Sequence, residues 1–182
     1  MKKDIIHLLA LTAILLWSSC CTNKVKPVIE PDKDIETRIE KILSGMTLEE
    51  KVGQMAQITI TVIQNNDKDG NPQWIPSMLD SVITKYKVGS ILNVINAQAQ
   101  TRKLTSDMIK ELQEKSMKEL GIPCLYGLDQ IHGASYIADA TLFPQEINVA
   151  ATFNREHAFN MGEVTAYESR AALNPWSFSP TL

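Results

Sequence analysis

The chain has 182 residues and a formal net charge of −3, with 44% hydrophobic and 21% charged residues. This composition is ordinary for a globular protein, and the length suits one average domain or part of a larger one. The weak negative charge comes without a basic stripe, which argues against nucleic acid as a partner.

The first twenty residues predict a signal peptide of the lipoprotein type. Met1–Lys3 is positive, Ile5–Trp17 is apolar, and two serines precede Cys20. Such a run is short for a membrane span and typical of a secretory signal. Small residues before a cysteine resemble the bacterial lipobox, so Cys20 is the predicted lipidation site. Tryptophan stands where lipoboxes have leucine, which leaves Cys21, or plain secretion, as alternatives.

This signal predicts export to the periplasm or outer membrane, with a lipid anchor in the membrane. Residues 21–34 are polar and contain two prolines, a composition typical of a tether. We expect the folded domain to occupy residues 35–182. Its first helix has one apolar face and ends at Gly45; the face consists of Ile35, Ile39, Ile42 and Leu43.

A capping box at Thr47–Glu50 predicts the start of a second helix, with three apolar residues turned inward. These are Leu48, Val52 and Met55. The alternating run Gln57–Val62 predicts a strand. Asn65–Asn71 predicts a solvated loop; its spacing begins like that of a calcium loop, but the downstream glutamate ligand is absent.

Helices and strands then alternate to the end of the sequence. We predict helices over Pro76–Tyr86, Thr101–Leu120 and Asn154–Leu173, and strands over Val88–Val94, Cys124–Tyr126 and Ser177–Ser179. Such alternation predicts a mostly parallel α/β sheet, in either a (β/α)8 barrel or a doubly wound fold. About four β/α units are too few to close an eight-stranded barrel, so part of a larger fold is expected. The glycine-rich nucleotide-binding motifs do not follow any predicted strand.

The three cysteines form neither a disulfide framework nor a CxxC pair, so no zinc site is predicted. Cys124 lies in an apolar run and is interpreted as a small buried hydrophobic residue. A nucleophilic thiol is the alternative, but it would need a base beside it.

A polar cluster directly follows the predicted strand Cys124–Tyr126. Carboxyl ends of parallel strands face the ligand crevice in both candidate folds. Asp129 either accepts hydrogen bonds from a ligand, acts as an acid or base, or caps a turn. His132 is interpreted as a structural residue bonded to backbone, and Gly127 and Gly133 are expected to let the chain turn tightly.

Three segments around this cluster resemble the N-terminal domain of glycoside hydrolase family 3, which contains β-glucosidases and related exo-acting enzymes. They are Tyr126–Gly133 (YGLDQIHG), Ala140–Pro144 (ATLFP) and Asn148–Asn154 (NVAATFN). Two further segments, Met46–Met55 and Phe178–Leu182, resemble the family in the same order. The resemblance implies that the fold class is α/β, namely the N-terminal part of a (β/α)8 TIM-like barrel, incomplete in this chain.

The resemblance also implies hydrolysis of terminal non-reducing β-D-glucosyl residues by a retaining mechanism with two carboxylates. The family nucleophile lies in an SDW-like motif and the acid/base follows later, so both are expected beyond Leu182 and no catalytic residue is assigned here. Asp129 is the implied substrate-binding residue, which hydrogen-bonds hydroxyls of the non-reducing sugar. No metal or organic cofactor is implied.

Two other carboxylates do not match the family's catalytic pair. Glu146 follows Gln145 where many members have His-Asn, and Glu168 fits a helix. We therefore expect this chain alone to be inactive. A non-catalytic, carbohydrate-binding envelope lipoprotein is the alternative function.

Overall fold

The computed structural model describes residues 31–181. The chain divides into two units, Met1–Ser44 and Gly45–Leu182. Helix α1 (Lys33–Gly45) confirms the first predicted helix, and the Asp32 carboxylate accepts hydrogen bonds from the amides at its start. The signal peptide, Cys20 and residues 21–30 of the tether lie outside the described residues. Within the described range, every helix is too short or too polar to cross a membrane.

The second unit alternates helices and strands. Its helices are α2 (Leu48–Met55), α3 (Pro76–Leu79), α4 (Arg102–Leu120), α5 (Glu146–Ala150) and α6 (Arg155–Ala171). Its strands are β1 (Gln57–Thr59), β2 (Gln64–Asn66), β3 (Pro72–Trp74), β4 (Ser90–Leu92), β5 (Leu125–Leu128) and β6 (Trp176–Ser177). A π-helical segment, Asp80–Lys85, continues α3, and short 3-10 turns follow β1 and β4.

Four of the strands form a parallel sheet in the order β1-β4-β5-β6. Each strand therefore pairs with the next strand of the sheet along the chain, which is the arrangement of consecutive strands in a (β/α)8 barrel. Parallel neighbours require a crossover connection, and α3, α4 and α6 lie in the three crossovers. The predicted α/β class with a parallel sheet is confirmed.

The prediction of a loop at Asn65–Asn71 is wrong in part, because the first two residues belong to an antiparallel hairpin of β2 and β3. The Asp67 carboxylate closes the turn by accepting hydrogen bonds from the amides of Asp69 and Asn71. Bonds from Asn71 hold the pKa of Asp67 below its usual value. Each strand has only three residues, too few for alternation to stand out from a polar loop.

One face of the parallel sheet carries the hydrophobic core. Tyr126 and Leu128 of β5 and Ile91 of β4 are at most 2% exposed. They share a cluster of buried side chains with α4, whose contribution is Met108, Ile109 and Leu112. On the opposite face Leu125 is 50% exposed and Trp176 is 37% exposed. Side chains alternate along a strand, so β5 has one side packed on α4 and one side that no described helix covers.

Gly127 does not turn the chain, contrary to the sequence-based expectation, because β5 continues through it to Leu128. A Cβ at Gly127 would meet the Phe178 ring. The Phe178 and Trp176 rings pack edge to face, with their centroids 4.9 Å apart. Glycine is therefore needed here to make room for an aromatic pair formed by Trp176 of β6 and Phe178, which directly follows that strand. Gly133 does turn the chain, with φ of +82°, as predicted.

The apolar residues of α2 do not face inward, so the prediction that they are buried is wrong. Leu48, Val52 and Met55 are 73%, 59% and 87% exposed. The capping box is present as predicted. The helix is oriented instead by Gly53, whose backbone carbonyl accepts a hydrogen bond from Gly89. That contact turns the apolar stripe away from the sheet.

We predict that Gly53→Ala destabilises the protein by about 1–3 kcal/mol, because overpacking a tight contact costs that much. A Cβ at Gly53 would clash with the backbone carbonyl oxygens of Tyr86 and Lys87. Gly162 in α6 is the matched control, since a Cβ there meets nothing within 4 Å. Gly162→Ala should stabilise by about 0.5–1 kcal/mol through helix propensity. Urea unfolding of both variants measures this, and equal shifts would contradict the packing argument.

Cys124 is a buried core residue, 2% exposed, as the sequence predicted. Burial raises the pKa of its thiol from 9.0 to about 12, and it also raises the pKa of the Tyr126 hydroxyl. A thiol that resists ionisation beside apolar neighbours is not an activated nucleophile.

We predict that the free energy of unfolding falls as pH rises from 9 towards 12, the usual and folded pKa values of the Cys124 thiol. In that window the unfolded state releases the proton that the folded state retains, so stability is lost with rising pH. Chemical denaturation at several pH values measures the slope. Cys124→Ala should flatten it, leaving the Tyr126 contribution, whereas an unchanged slope would contradict the assignment.

Candidate functional site

Asp129 lies at the carboxyl end of β5, on the face of the sheet opposite α4. Its neighbours Leu128 and Gln130 are buried, at 2% and 1% exposure, while Asp129 itself is exposed. Within residues 31–181 its carboxylate has no hydrogen bond or ion pair to another side chain. An ionised carboxylate is an acceptor with two oxygens, so this group is open to donors from a ligand.

Neutral polar groups lie at the same edge of the sheet: Thr59 is the last residue of β1, and Asn93 directly follows β4. The Asn93 side chain donates to Thr59 Oγ1 over 3.0 Å, and Tyr126 Oη donates to the Asn93 carbonyl over 2.7 Å. Asn93 has φ of +78°, a conformation that asparagine tolerates better than most residues. These groups were not among the predicted site residues. The feature of the sequence that could have indicated them is an asparagine, Asn93, at the end of an apolar strand.

The segment from Asp129 to Gln145, here called the Asp129 loop, is closed at its base by His132 and Phe143. The Phe143 amide donates to the His132 carbonyl over 3.0 Å. The His132 ring nitrogen Nδ1 lies 3.1 Å from the Phe143 carbonyl oxygen and donates to it. The imidazole is thus bonded to backbone, in agreement with its interpretation as a structural residue.

Helix α6 contacts the Asp129 loop through two adjacent residues. Ser169 Oγ lies 2.9 Å from the side-chain oxygen of Gln130, the residue directly after Asp129. Glu168 accepts two hydrogen bonds from Thr141, one from its amide and one from its hydroxyl, both 2.9 Å long. Glu168 lies on a helix as predicted, and both of its carboxylate oxygens accept hydrogen bonds from Thr141.

The Glu146 carboxylate also accepts hydrogen bonds from other residues of the chain. Its two carboxylate oxygens accept from the Ser179 hydroxyl over 2.6 Å and from the Thr181 amide over 3.1 Å. These bonds hold the start of α5 to the segment after β6. The two carboxylates weighed as catalytic from the sequence therefore hold loops, whereas Asp129 is open.

A cavity of about 600 Å³ lies on the helix-covered side of β6, against α5 and α6. Asp129 does not line it. Buried polar atoms of Gln130, Asn174 and Ser177 face this region without a partner among the described residues. Because the cavity and Asp129 lie on opposite sides of the sheet, the cavity does not belong to the Asp129 site.

The described part of the chain brings no three His, Cys, Asp or Glu side chains together in a way that could hold a metal ion. The chemistry available at this edge is hydrogen bonding, by the Asp129 carboxylate after β5 and by the Asn93 and Thr59 side chains at the ends of neighbouring strands. Such a set suits a neutral ligand rich in hydroxyl groups.

Comparison with known proteins identifies the protein family. Residues 47–182 match the model of the glycosyl hydrolase family 3 N-terminal domain. A lysosomal beta glucosidase of Dictyostelium discoideum is 34% identical over 81% of this chain and 19% of its own length. A periplasmic beta-glucosidase of Salmonella typhimurium is 27% identical over 72% of this chain and 14% of its own.

Among solved structures, an exo-1,3/1,4-beta-glucanase from a Pseudoalteromonas species is similar, with a TM-score of 0.69 and 29% sequence identity. The similarity covers 85% of this chain and 18% of that one. This chain thus spans a fifth or less of the length of these proteins. Such family 3 enzymes have a TIM-barrel-type N-terminal domain, in agreement with the parallel sheet found here. The family match covers most of the chain, and the chain therefore belongs to the glycosyl hydrolase family 3 N-terminal domain family.

Proposed function

We propose that the protein containing this chain hydrolyses terminal non-reducing β-D-glucosyl, or related β-glycosyl, residues from oligosaccharides. The observation that carries the proposal is the open Asp129 carboxylate at the carboxyl edge of a parallel sheet, within a family 3 segment. Active sites of (β/α)8 barrels lie at this edge. The names of the relatives, two beta-glucosidases and a beta-glucanase, support the substrate class.

In this proposal Asp129 binds the glycone, the sugar at the non-reducing end. Its carboxylate accepts hydrogen bonds from two sugar hydroxyls, which are strong because the acceptor is ionised. A sugar that lacks one of those hydroxyls leaves an oxygen of Asp129 without its donor, and such a mismatch is heavily penalised in a partly dry site. Asp129 therefore selects and orients the sugar without forming a covalent bond to it.

The proposed chemistry is a retaining displacement by two carboxylates, one as nucleophile and one as acid/base. Glu146 and Glu168 are not assigned to it, since both hold loops through hydrogen bonds. The resemblance to the family instead assigns these roles to its SDW-like motif and to a later segment. Asp129 supplies binding energy, and the carboxylate pair supplies the chemistry.

A non-catalytic carbohydrate-binding protein is the second candidate. It is favoured by one observation: Asp129 is equipped to bind a sugar, while the other two candidate carboxylates are engaged by the fold. Glucoside binding without hydrolysis by the intact protein would favour this candidate.

We predict that Asp129→Asn in the intact protein lowers kcat/KM for nitrophenyl β-glucoside by about 100-fold or more. Hydrogen bonds to a charged group contribute about 1.5–3 kcal/mol each, and two are weakened or lost. Steady-state kinetics measures the effect. Asp139→Asn is the matched control, because Asp139 is an exposed aspartate of the same loop with φ of +66°, which asparagine tolerates.

The control variant should keep kcat/KM close to that of the unmodified protein. A deoxy-glucoside lacking the bound hydroxyl should be a poor substrate for the unmodified protein, yet lose little more with Asp129→Asn. The sugar-binding role is wrong if Asp129→Asn leaves kcat/KM within about twofold, a change too small for a charged hydrogen bond.

We also propose that the protein is exported and anchored to the membrane by lipid on Cys20. The positive start, the apolar run Ile5–Trp17 and the small residues before Cys20 support this. The Salmonella relative is named periplasmic, which supports export. Several acyl chains on one cysteine give stable anchoring, whereas a single chain binds reversibly.

We predict that radiolabelled palmitate is incorporated into the protein in its host and that Cys20→Ala abolishes the labelling. Cys21→Ala is the matched control and should still be labelled. If Cys21→Ala abolishes the labelling and Cys20→Ala does not, the lipidated residue is Cys21. Failure of the unmodified protein to incorporate label would overturn the anchor.

A further inference from the structure

Helix α6 contacts both limbs of the Asp129 loop. The first contact is to Gln130, one residue after Asp129, and the second is to Thr141, twelve residues after it. The two helix residues involved, Ser169 and Glu168, are adjacent. One turn of one helix thus holds the outgoing and the returning limb of the loop.

At the outgoing limb, Gln130 is 1% exposed, so its amide must find partners inside the protein. Ser169 Oγ lies 2.9 Å from Gln130 Oε1 and 2.5 Å from the Thr165 carbonyl. The hydroxyl has one proton for these two acceptors, and Gln130 Nε2 has no partner among the described residues. Turning the amide over lets Nε2 donate to Ser169 Oγ while the Ser169 hydroxyl donates to the Thr165 carbonyl, so that Ser169 both accepts and donates in this contact.

At the returning limb, Glu168 holds Thr141 with two hydrogen bonds of 2.9 Å. The carbonyl oxygen of Thr141 lies only 2.5 Å from the position that a Cβ at Gly133 would occupy. Gly133 therefore packs directly on Thr141. His132, the residue before Gly133, is hydrogen-bonded to Phe143. The backbone that follows Asp129 therefore packs on the segment that contains Thr141, and a shift of Thr141 would shift that backbone.

We infer that Glu168 and Ser169 are positioning residues, which hold the Asp129 carboxylate where it meets the sugar. The inference rests on the proposed function of Asp129. Asp129 is exposed and has no partner of its own among residues 31–181, so its backbone must be held through its neighbours. On the preceding side Leu128 is held by β5 and by a hydrogen bond from the Phe178 amide. On the following side Gln130 and Gly133 are held through α6.

The activity test compares three α6 variants in the intact protein. Glu168→Ala removes both bonds to Thr141. Glu168→Gln keeps two bonds, because its oxygen accepts from the Thr141 amide and its nitrogen donates to the Thr141 hydroxyl. Glu163→Ala is the matched control, since Glu163 is an exposed glutamate on the same helix.

We expect Glu168→Ala to lower kcat/KM by about 10–100-fold, the loss expected when a binding group is misplaced by about 1 Å. Glu168→Gln should restore most of the activity, and Glu163→Ala should leave it unchanged. In an Asp129→Ala background, Glu168→Ala should have little further effect, because the group that it positions is gone. An equal loss in both backgrounds would overturn the inference.

Hydrogen exchange of the loop amides gives a readout that does not depend on activity. Residues 130–143 should lose protection in Glu168→Ala and Ser169→Ala and keep it in Glu168→Gln and Glu163→Ala. Unchanged protection in Glu168→Ala would overturn the inference even if activity fell. If the unmodified protein hydrolyses no β-glycoside, the proposed function fails, while exchange still decides whether α6 holds the loop.

Discussion

The alternation of side chains along β5 is the constraint on which the site depends. Tyr126 and Leu128 enter the core with α4, and each is at most 2% exposed. Because successive side chains of a strand point to opposite faces, Gly127 and then Asp129 are turned to the other side. A shift of one residue would bury Asp129 among apolar groups and expose Leu128. The apolar core thereby holds the carboxylate at the open edge of the sheet.

Three carboxylates of this chain differ in what surrounds them. Glu146 and Glu168 each accept two hydrogen bonds from the chain, and their oxygens are used to hold loops. Asp129 is left with acceptor capacity for a ligand. A residue type and a position near a strand end do not separate these roles, whereas the donors within reach of each oxygen do.

The long elements were predictable because their signals are local. Helix α4 has a threonine cap, a stripe of buried residues and Gly121 at its end with φ of +71°, all of which can be read from neighbouring residues. The inward stripe of α2 was predicted wrongly because its periodicity is real but its partner was not given by spacing. Gly53 decides which side of that helix meets the chain. The short hairpin β2–β3 was missed for a related reason, since three polar residues do not form a pattern.

By itself, the sequence determined the α/β class and the family, because capping boxes, helical periods and ordered motifs are properties of nearby residues. Only the tertiary structure decided what Gly127 and Glu168 do. Gly127 makes room for Phe178, which is 51 residues away, and Glu168 holds Thr141 across 27 residues. Contacts over such separations depend on how strands and helices pack, and spacing along the chain does not contain that information.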